Sequence, residues 1–210
     1  VGKTLKFVLW VVGIASAIAI VLRLTILDLW TIPQDLVLDS SLRPTLAAGD
    51  TVLLFTRGQR GFGDLVRCTD PEDAQRYVVG RIVGIGGDTV EVKNPIVTVN
   101  GTKYNHGDSC AQGVVMVPHP KSGSPTQASC QRIDMAGGWH YRAAVETPES
   151  PSTHQVGPGL VYLLSDNRSF HDDSRDFGAI PAESCQGVIF FRLWGKGGFE
   201  DESSRFTVIH

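Results

Sequence analysis

The pattern of apolar and polar positions divides the chain into two regimes. Phe7 to Leu22 form one continuous uncharged run, flanked by Lys3 and Lys6 before it and Arg23 after it. An apolar stretch of about 20 residues spans a bilayer as a helix, and basic flanks can snorkel to its surfaces. "LTILDLW" prolongs the apolar character, so residues 1–30 are expected to be a membrane anchor. A cleaved signal peptide and a buried core helix are the competing readings. The small residues Ala15, Ser16 and Ala17 lie inside the run instead of following it, which argues against a cleavage site there. Two lysines before the run against one arginine after it favour an N-terminus inside and residues 31–210 on the extracytoplasmic side of a plasma (inner) membrane, with a single pass.

Beyond the anchor the period changes to that of strands. Short Val-, Ile-, Leu- and aromatic-rich runs bounded by Gly, Asp and Pro predict strands over 50–56, 63–68, 75–85, 88–93, 95–104, 159–166 and 186–194. Asn100-Gly101 between alternating residues predicts a type I′ hairpin. Residues 105–158 are rich in Gly, Ser, Pro, Thr and His with weak periodicity, and are expected to be a loop-rich insertion or subdomain. The fold class is therefore all-β and antiparallel, preceded by one transmembrane helix.

Composition removes several functions. The net charge is −3 with both signs dispersed, so the basic footprint of a nucleic-acid binder is missing. Cys68, Cys110, Cys130 and Cys185 form no CxxC pair and have no His at zinc-finger spacing, so neither a metal site nor a cofactor is expected. Outside the cytosol an even cysteine count permits disulfides. Cys110 and Cys130, both in the weakly periodic stretch, are expected to pair, and Cys68 and Cys185 at strand ends to be buried thiols.

The candidate chemistry starts at Ser41. A hydroxyl becomes a nucleophile when a base takes its proton, and it acts best from a rigid turn beside oxyanion-holding N–H groups. Pro44 and Thr45 give "SLRPTL" such a turn. Two further segments accompany it: "GRIVGIGGDTV" (80–90) and the dense polar loop "LLSDNRSFHDDSRDFGAIP" (163–181). By themselves the polar loop's Asp166, Asn167, Asp173 and Arg175 could be a structural clamp.

In order, these segments resemble the type I signal peptidases, membrane-anchored serine proteases that remove signal peptides from exported proteins. Ser41 to Leu46 is similar to Ser-Met-x-Pro-Thr-Leu, and Gly49-Asp50 with Gly63-Asp64-Leu65-Val66 to two Gly-Asp-hydrophobic strands. Arg81 to Asp88 is similar to Arg-x-Val-Gly-Leu-Pro-Gly-Asp, and Ser165 to Arg168 with Asp173 to Arg175 to Gly-Asp-Asn-Arg followed by Asp-Ser-Arg. The likeness covers about residues 20–194, is weakest over 105–158, and reaches Ile209-His210. It implies a signal-peptidase-like β fold, signal peptides of exported preproteins as substrates, cleavage after small residues of the Ala-x-Ala kind, and Ser41 as nucleophile. It also implies that substrate binds as an added strand on a sheet edge.

The departures are as informative. Gly80 stands where the family has its lysine base, and Asp39 where it has a hydroxyl that helps form the oxyanion hole. Measured from Ile32-Pro33, Ser41 arrives about five residues late, so "QDLVL" reads as an insertion. His171 occupies the position of the serine that orients the lysine. The missing lysine is expected to leave a vacancy that the His171 imidazole fills as general base, with Asp172, Asp173 or Asp39 orienting it. The alternative is a catalytically inactive paralogue that binds exported segments or partner membrane proteins.

Overall fold

The computed structural model describes residues 2–93, 96–104, 108–135, 138–145 and 151–210. In chain order the elements are α1 (Lys3–Thr25), β1 (Leu27–Thr31), α2 (Leu36–Leu42), β2 (Thr51–Phe55), β3 (Leu65–Thr69) and β4 (Tyr77–Ile85). They continue with β5 (Thr89–Lys93), β6 (Ile96–Val99), β7 (Thr102–Tyr104), β8 (Ser109–Pro118), β9 (Pro125–Met135) and β10 (Gly138–Ala144). The last are β11 (Ser152–Gln155), β12 (Leu160–Leu164), α3 (Ser174–Phe177), β13 (Ile180–Pro181), β14 (Cys185–Trp194) and β15 (Thr207–Val208).

The apolar N-terminal run is a 23-residue helix, about 35 Å long at 1.5 Å per residue and so enough to cross a membrane. None of its span from Lys3 to Val21 packs against the rest of the chain. One residue separates α1 from β1, so the helix leads directly into the main sheet.

That sheet has eight strands in the order β1-β2-β14-β3-β4-β12-β13, with β15 added on β14. A three-stranded sheet, β10-β9-β8, and a four-stranded one, β11-β5-β6-β7, adjoin it. The strands pair antiparallel, as their short connections favour. The hairpin read at Asn100-Gly101 is present: Val99 faces Thr102, and φ is 50° at Asn100 and 81° at Gly101. The described residues within 105–158 are more regular than their composition suggests. β9 alternates exposed and buried positions over much of its length, with Pro125, Gln127 and Ser129 outward and Ala128 and Cys130 inward, a period that its few apolar residues mask in the sequence.

Four apolar clusters hold these layers. One of them brings Leu38 and Leu42 of α2 against Ile32, Leu46, Val52, Leu65 and Val79. Burial of a Leu or Val side chain stabilises by about 1.5–3 kcal/mol, so this cluster fixes α2 on the sheet.

Cys110 and Cys130 are joined by a disulfide, as expected. Cys68 and Cys185 are not free thiols but a second disulfide. The reason is register: β3 and β14 are antiparallel neighbours and Cys68 lies directly opposite Cys185, a proximity that 117 residues of separation conceal. Closing so long a loop restricts the unfolded chain by about 5 kcal/mol, against about 3 for the 20-residue separation of the other pair. Replacing Cys68 and Cys185 with alanine is therefore expected to lower the unfolding free energy more than replacing Cys110 and Cys130. Denaturant melts of the two double variants measure this, and equal losses contradict it.

Candidate active site

Ser41 lies in the last turn of a short helix, not in an open turn. Asp35 begins that helix as N-cap, its carboxylate accepting from Val37 N at 2.8 Å and Leu38 N at 3.0 Å. The "QDLVL" stretch thus supplies the cap and, in Leu38, one of the two apolar residues that dock α2. Pro44 stops it, since a proline cannot donate to the preceding turn. Ser40 donates to Leu36 O at 2.6 Å and lies 2.8 Å from Pro118 O at the end of β8. Ser41 is fully buried, and its hydroxyl donates to Leu38 O at 3.0 Å. Asp39 Oδ1 accepts from Arg43 Nε at 3.1 Å and Ala48 N at 2.9 Å, so it braces the turn after the helix and does not orient a base.

The polar loop closes on this helix from the other side. Asn167 N donates to Ser41 O at 3.0 Å and its Nδ2 to Ser40 O at 2.9 Å. These are carbonyls that a helix C-terminus leaves without intrahelical partners. Beside it, Arg81 Nε and Nη2 donate to the two oxygens of Asp166 at 2.7 and 3.1 Å, and Thr45 donates its hydroxyl to Asp166 Oδ2. Burial is the largest influence and raises the Asp166 carboxyl, but the Arg81 charge and hydrogen bonds, with His140 and Thr45, together outweigh it and hold the group below the usual range. Asp173 caps α3, accepts from Ser165 N at 2.8 Å and pairs with Arg175 Nη2 at 2.8 Å. Burial pushes it up and Arg175 more than reverses this, so it too lies below the usual range.

His171 meets Asp176: its Nδ1 is 2.8 Å from Asp176 Oδ2. The orienting carboxylate is therefore neither Asp172, Asp173 nor Asp39. Asp173 is committed to Arg175 and the α3 cap, and Asp176 comes within reach because it is the third helical residue of the same capping box. Burial is the largest influence and lowers the His171 pKa, but the Asp176 hydrogen bond together with the Asp173 and Asp176 charges outweighs it and leaves the pKa above the ordinary value. Asp172 is pushed up to about 6 by burial. Its Oδ2 is buried without a hydrogen bond among the described residues, and Arg76 Nη2 lies 3.8 Å away. His171, Asp173 and Asp176 could offer three ligand atoms within 4.8 Å to a cation, but Asp173 and Asp176 already carry the α3 capping bonds and the Arg175 pair.

No vacancy opens at Gly80 itself. A Cβ there would lie 3.1 Å from Leu163 Cβ and 3.2 Å from Leu164 O. The direction in which a side chain would leave the backbone is occupied by β12.

One residue that motif reading passed over belongs to this assembly. His140 of β10 is 2 % exposed, with Nε2 3.5 Å from Arg168 Nη2 and 3.9 Å from Asp166 Oδ1. It lines two adjoining clefts of about 340 and 220 Å³, which also share Arg81, Trp139 and His210. An isolated histidine in a weakly periodic stretch carries no sequence signal beyond its alternation in "GWHYRAA". Burial, with Arg81, Arg168 and Arg142 nearby, depresses its pKa well below the ordinary value. A histidine shifted this way contributes its full stability above its unfolded pKa of about 6.5 and loses it as the pH falls further. From pH 7 to about 5.5 the wild type is expected to lose about 1 kcal/mol more stability than His140→Phe. Paired denaturant melts across that range test this, and parallel pH dependences contradict it.

The family described as signal peptidase, peptidase S26, matches residues 5–194. Signal peptidase IB of Staphylococcus aureus is 26% identical over 197 residues, covering 91% of each chain. A probable signal peptidase I-1 of Synechocystis is 26% identical over 201 residues, covering 88% of this chain and 83% of that one. A signal peptidase I of known structure from Enterococcus faecalis is 21% identical and covers 62% of this chain and 97% of its own, with a TM-score of 0.38. With the match spanning most of the apolar helix α1, α2 and the polar loop, the chain belongs to the signal peptidase family of serine endopeptidases.

Proposed function

We propose that the chain is a membrane-anchored serine endopeptidase that cleaves signal peptides of exported preproteins after small residues of the Ala-x-Ala kind, on the extracytoplasmic side. The observation that carries this reading is the convergence of the three family segments on α2. Asn167 holds the carbonyls of Ser40 and Ser41, while Arg81 and Thr45 hold Asp166. Two disulfides suit an oxidising compartment, and the apolar α1 supplies the contact with membrane lipid.

A strand-like substrate has a place to add. Tyr77 to Arg81 of β4 pair with β3, whereas β12 flanks only Arg81 to Ile85. The first half of β4 thus has one side without a strand neighbour among the described residues, where an extended peptide gains main-chain hydrogen bonds. In the reaction the Ser41 oxygen attacks the scissile carbonyl carbon and its proton passes to His171 Nε2. The C–N bond then breaks as that proton goes to the leaving amine, and water releases the acyl group from Ser41. In this mechanism Asp176 accepts from Nδ1–H, 2.8 Å away, and Nε2 is the atom assigned as base. Asp39, Asp173 and Arg175 support the two loops. Ser41 must first leave the Leu38 carbonyl, which requires the last turn of α2 to open.

A second reading, a binder without turnover, is favoured by one pair of facts: Ser41 is buried on a helix carbonyl, and the Gly80 position is closed. A peptide with an Ala-x-Ala site, incubated with the full chain in detergent, separates the two. Cleavage is expected, with Ser41→Ala and His171→Ala each at least about 100-fold slower. Because the His171 pKa is raised, the rate should fall with acidification through a midpoint above about 6.5, and Asp176→Asn should move that midpoint down. Peptide that binds the wild type uncleaved supports the binder, and cleavage that survives Ser41→Ala overturns the proposed nucleophile.

A further inference from the structure

The cleft of about 220 Å³ between β10, the Pro44–Thr45 turn and β15 has no part in the reaction above, and its walls are unusual. His140 sits in it almost wholly buried. Its Nε2 faces the Arg168 guanidinium, which can only donate, and the Asp166 carboxylate at 3.9 Å is beyond hydrogen-bond reach. The lone pair of the neutral ring therefore lies on Nε2 and the proton on Nδ1. That N–H has no partner among the described residues. Arg81, Arg168 and Arg142 all disfavour the protonated ring while Asp166 favours it, and burial tips the balance so that the ring is neutral.

Arg192 faces the same cleft with donors to spare. Its contacts are at the long end of hydrogen bonding: Asp50 Oδ2 at 3.2 Å, Thr207 Oγ1 at 3.3 Å and Thr45 O at 3.5 Å. Its Nε has no partner among the described residues. A guanidinium has five N–H groups, so these three contacts leave two unused. Trp139 and His210, stacked with ring centroids 4.4 Å apart, form an aromatic wall beside them. An anion with two acceptor oxygens matches one imidazole N–H and a guanidinium better than water does, and charge-assisted bonds are about twice as strong as neutral ones.

We propose that this cleft is a carboxylate-binding subsite, in which His140 Nδ1–H and the Arg192 guanidinium each take one carboxylate oxygen of a short peptide. The carboxylate is either the free C-terminus of a peptide or an acidic side chain, and the site does not depend on Ser41 being active. Calorimetric titration of the full chain in detergent with acetyl-Ala-Ala, acetyl-Ala-Ala-amide and acetyl-Asp-amide tests it. At least one of the two acids is expected to bind about tenfold or more tighter than the neutral amide. Binding of acetyl-Ala-Ala alone identifies a peptide terminus as the ligand, and binding of acetyl-Asp-amide alone an acidic side chain. Arg192→Gln and His140→Phe should each weaken acid binding by a similar factor. Because His140→Phe could disturb the fold, the His140 ring N–H resonance of the wild type is followed as well, and it should shift on acid binding. Equal affinity for acid and amide overturns the proposal. So does acid binding that both variants retain, or the absence of both heat and resonance shift at about 10 mM probe.

Discussion

The site depends on one buried ion pair. Arg81 and Asp166 are about 1–2 % exposed and meet through two parallel hydrogen bonds. Charges removed from water are tolerated only when geometry and further bonds satisfy them, and removing one partner of such a pair typically costs about 3–5 kcal/mol. Here the remaining capacity is filled from different parts of the chain. Thr45 donates to Asp166, Gly63 O accepts from Arg81 at 3.1 Å, and Ala143 N donates to the Asp166 carbonyl at 2.9 Å. A strand of the main sheet, the turn after α2, the polar loop and the β10 strand are thus fixed around one carboxylate. Asn167, the next residue, inherits its position and reaches the end of α2.

α2 forms over the approach to Ser41 because Asp35 can cap it and Leu38 and Leu42 can pack beneath it. The coil satisfies the backbone but also gives the Ser41 hydroxyl a carbonyl to donate to. The same hydroxyl cannot donate to a base until that bond opens. In the proposed mechanism, stability of α2 and reactivity of Ser41 therefore oppose each other, and the proposed substrate strand on β4 is what shifts that balance.

Much of this was legible in the sequence where a short-range rule governs. The uncharged run, the strands over 50–56, 75–85 and 186–194, and the Asn100-Gly101 turn each follow from local spacing and appear as α1, β2, β4, β14 and the β6–β7 hairpin. The motif order led to Ser41, Arg81 and the polar loop. Features fixed by tertiary register were not legible. Cys68 meets Cys185 only because β3 and β14 become neighbours. Asp176 replaces Asp173 as the partner of His171 only because α3 coils back, which four helical residues hardly signal. His140 enters the site because β10 docks on Asp166 through Ala143, a contact that neither periodicity nor spacing announces.

The central claim is that Ser41, despite its burial, is the group that reacts. Intact-mass spectrometry of the full chain in detergent after exposure to a reactive β-lactam tests it most directly, with the adduct located by peptide mapping. The account predicts one acyl group per chain, placed on Ser41 and slower to form at acid pH, where His171 is protonated. No adduct across the pH range, or an adduct on another residue with Ser41 unmodified, would contradict it.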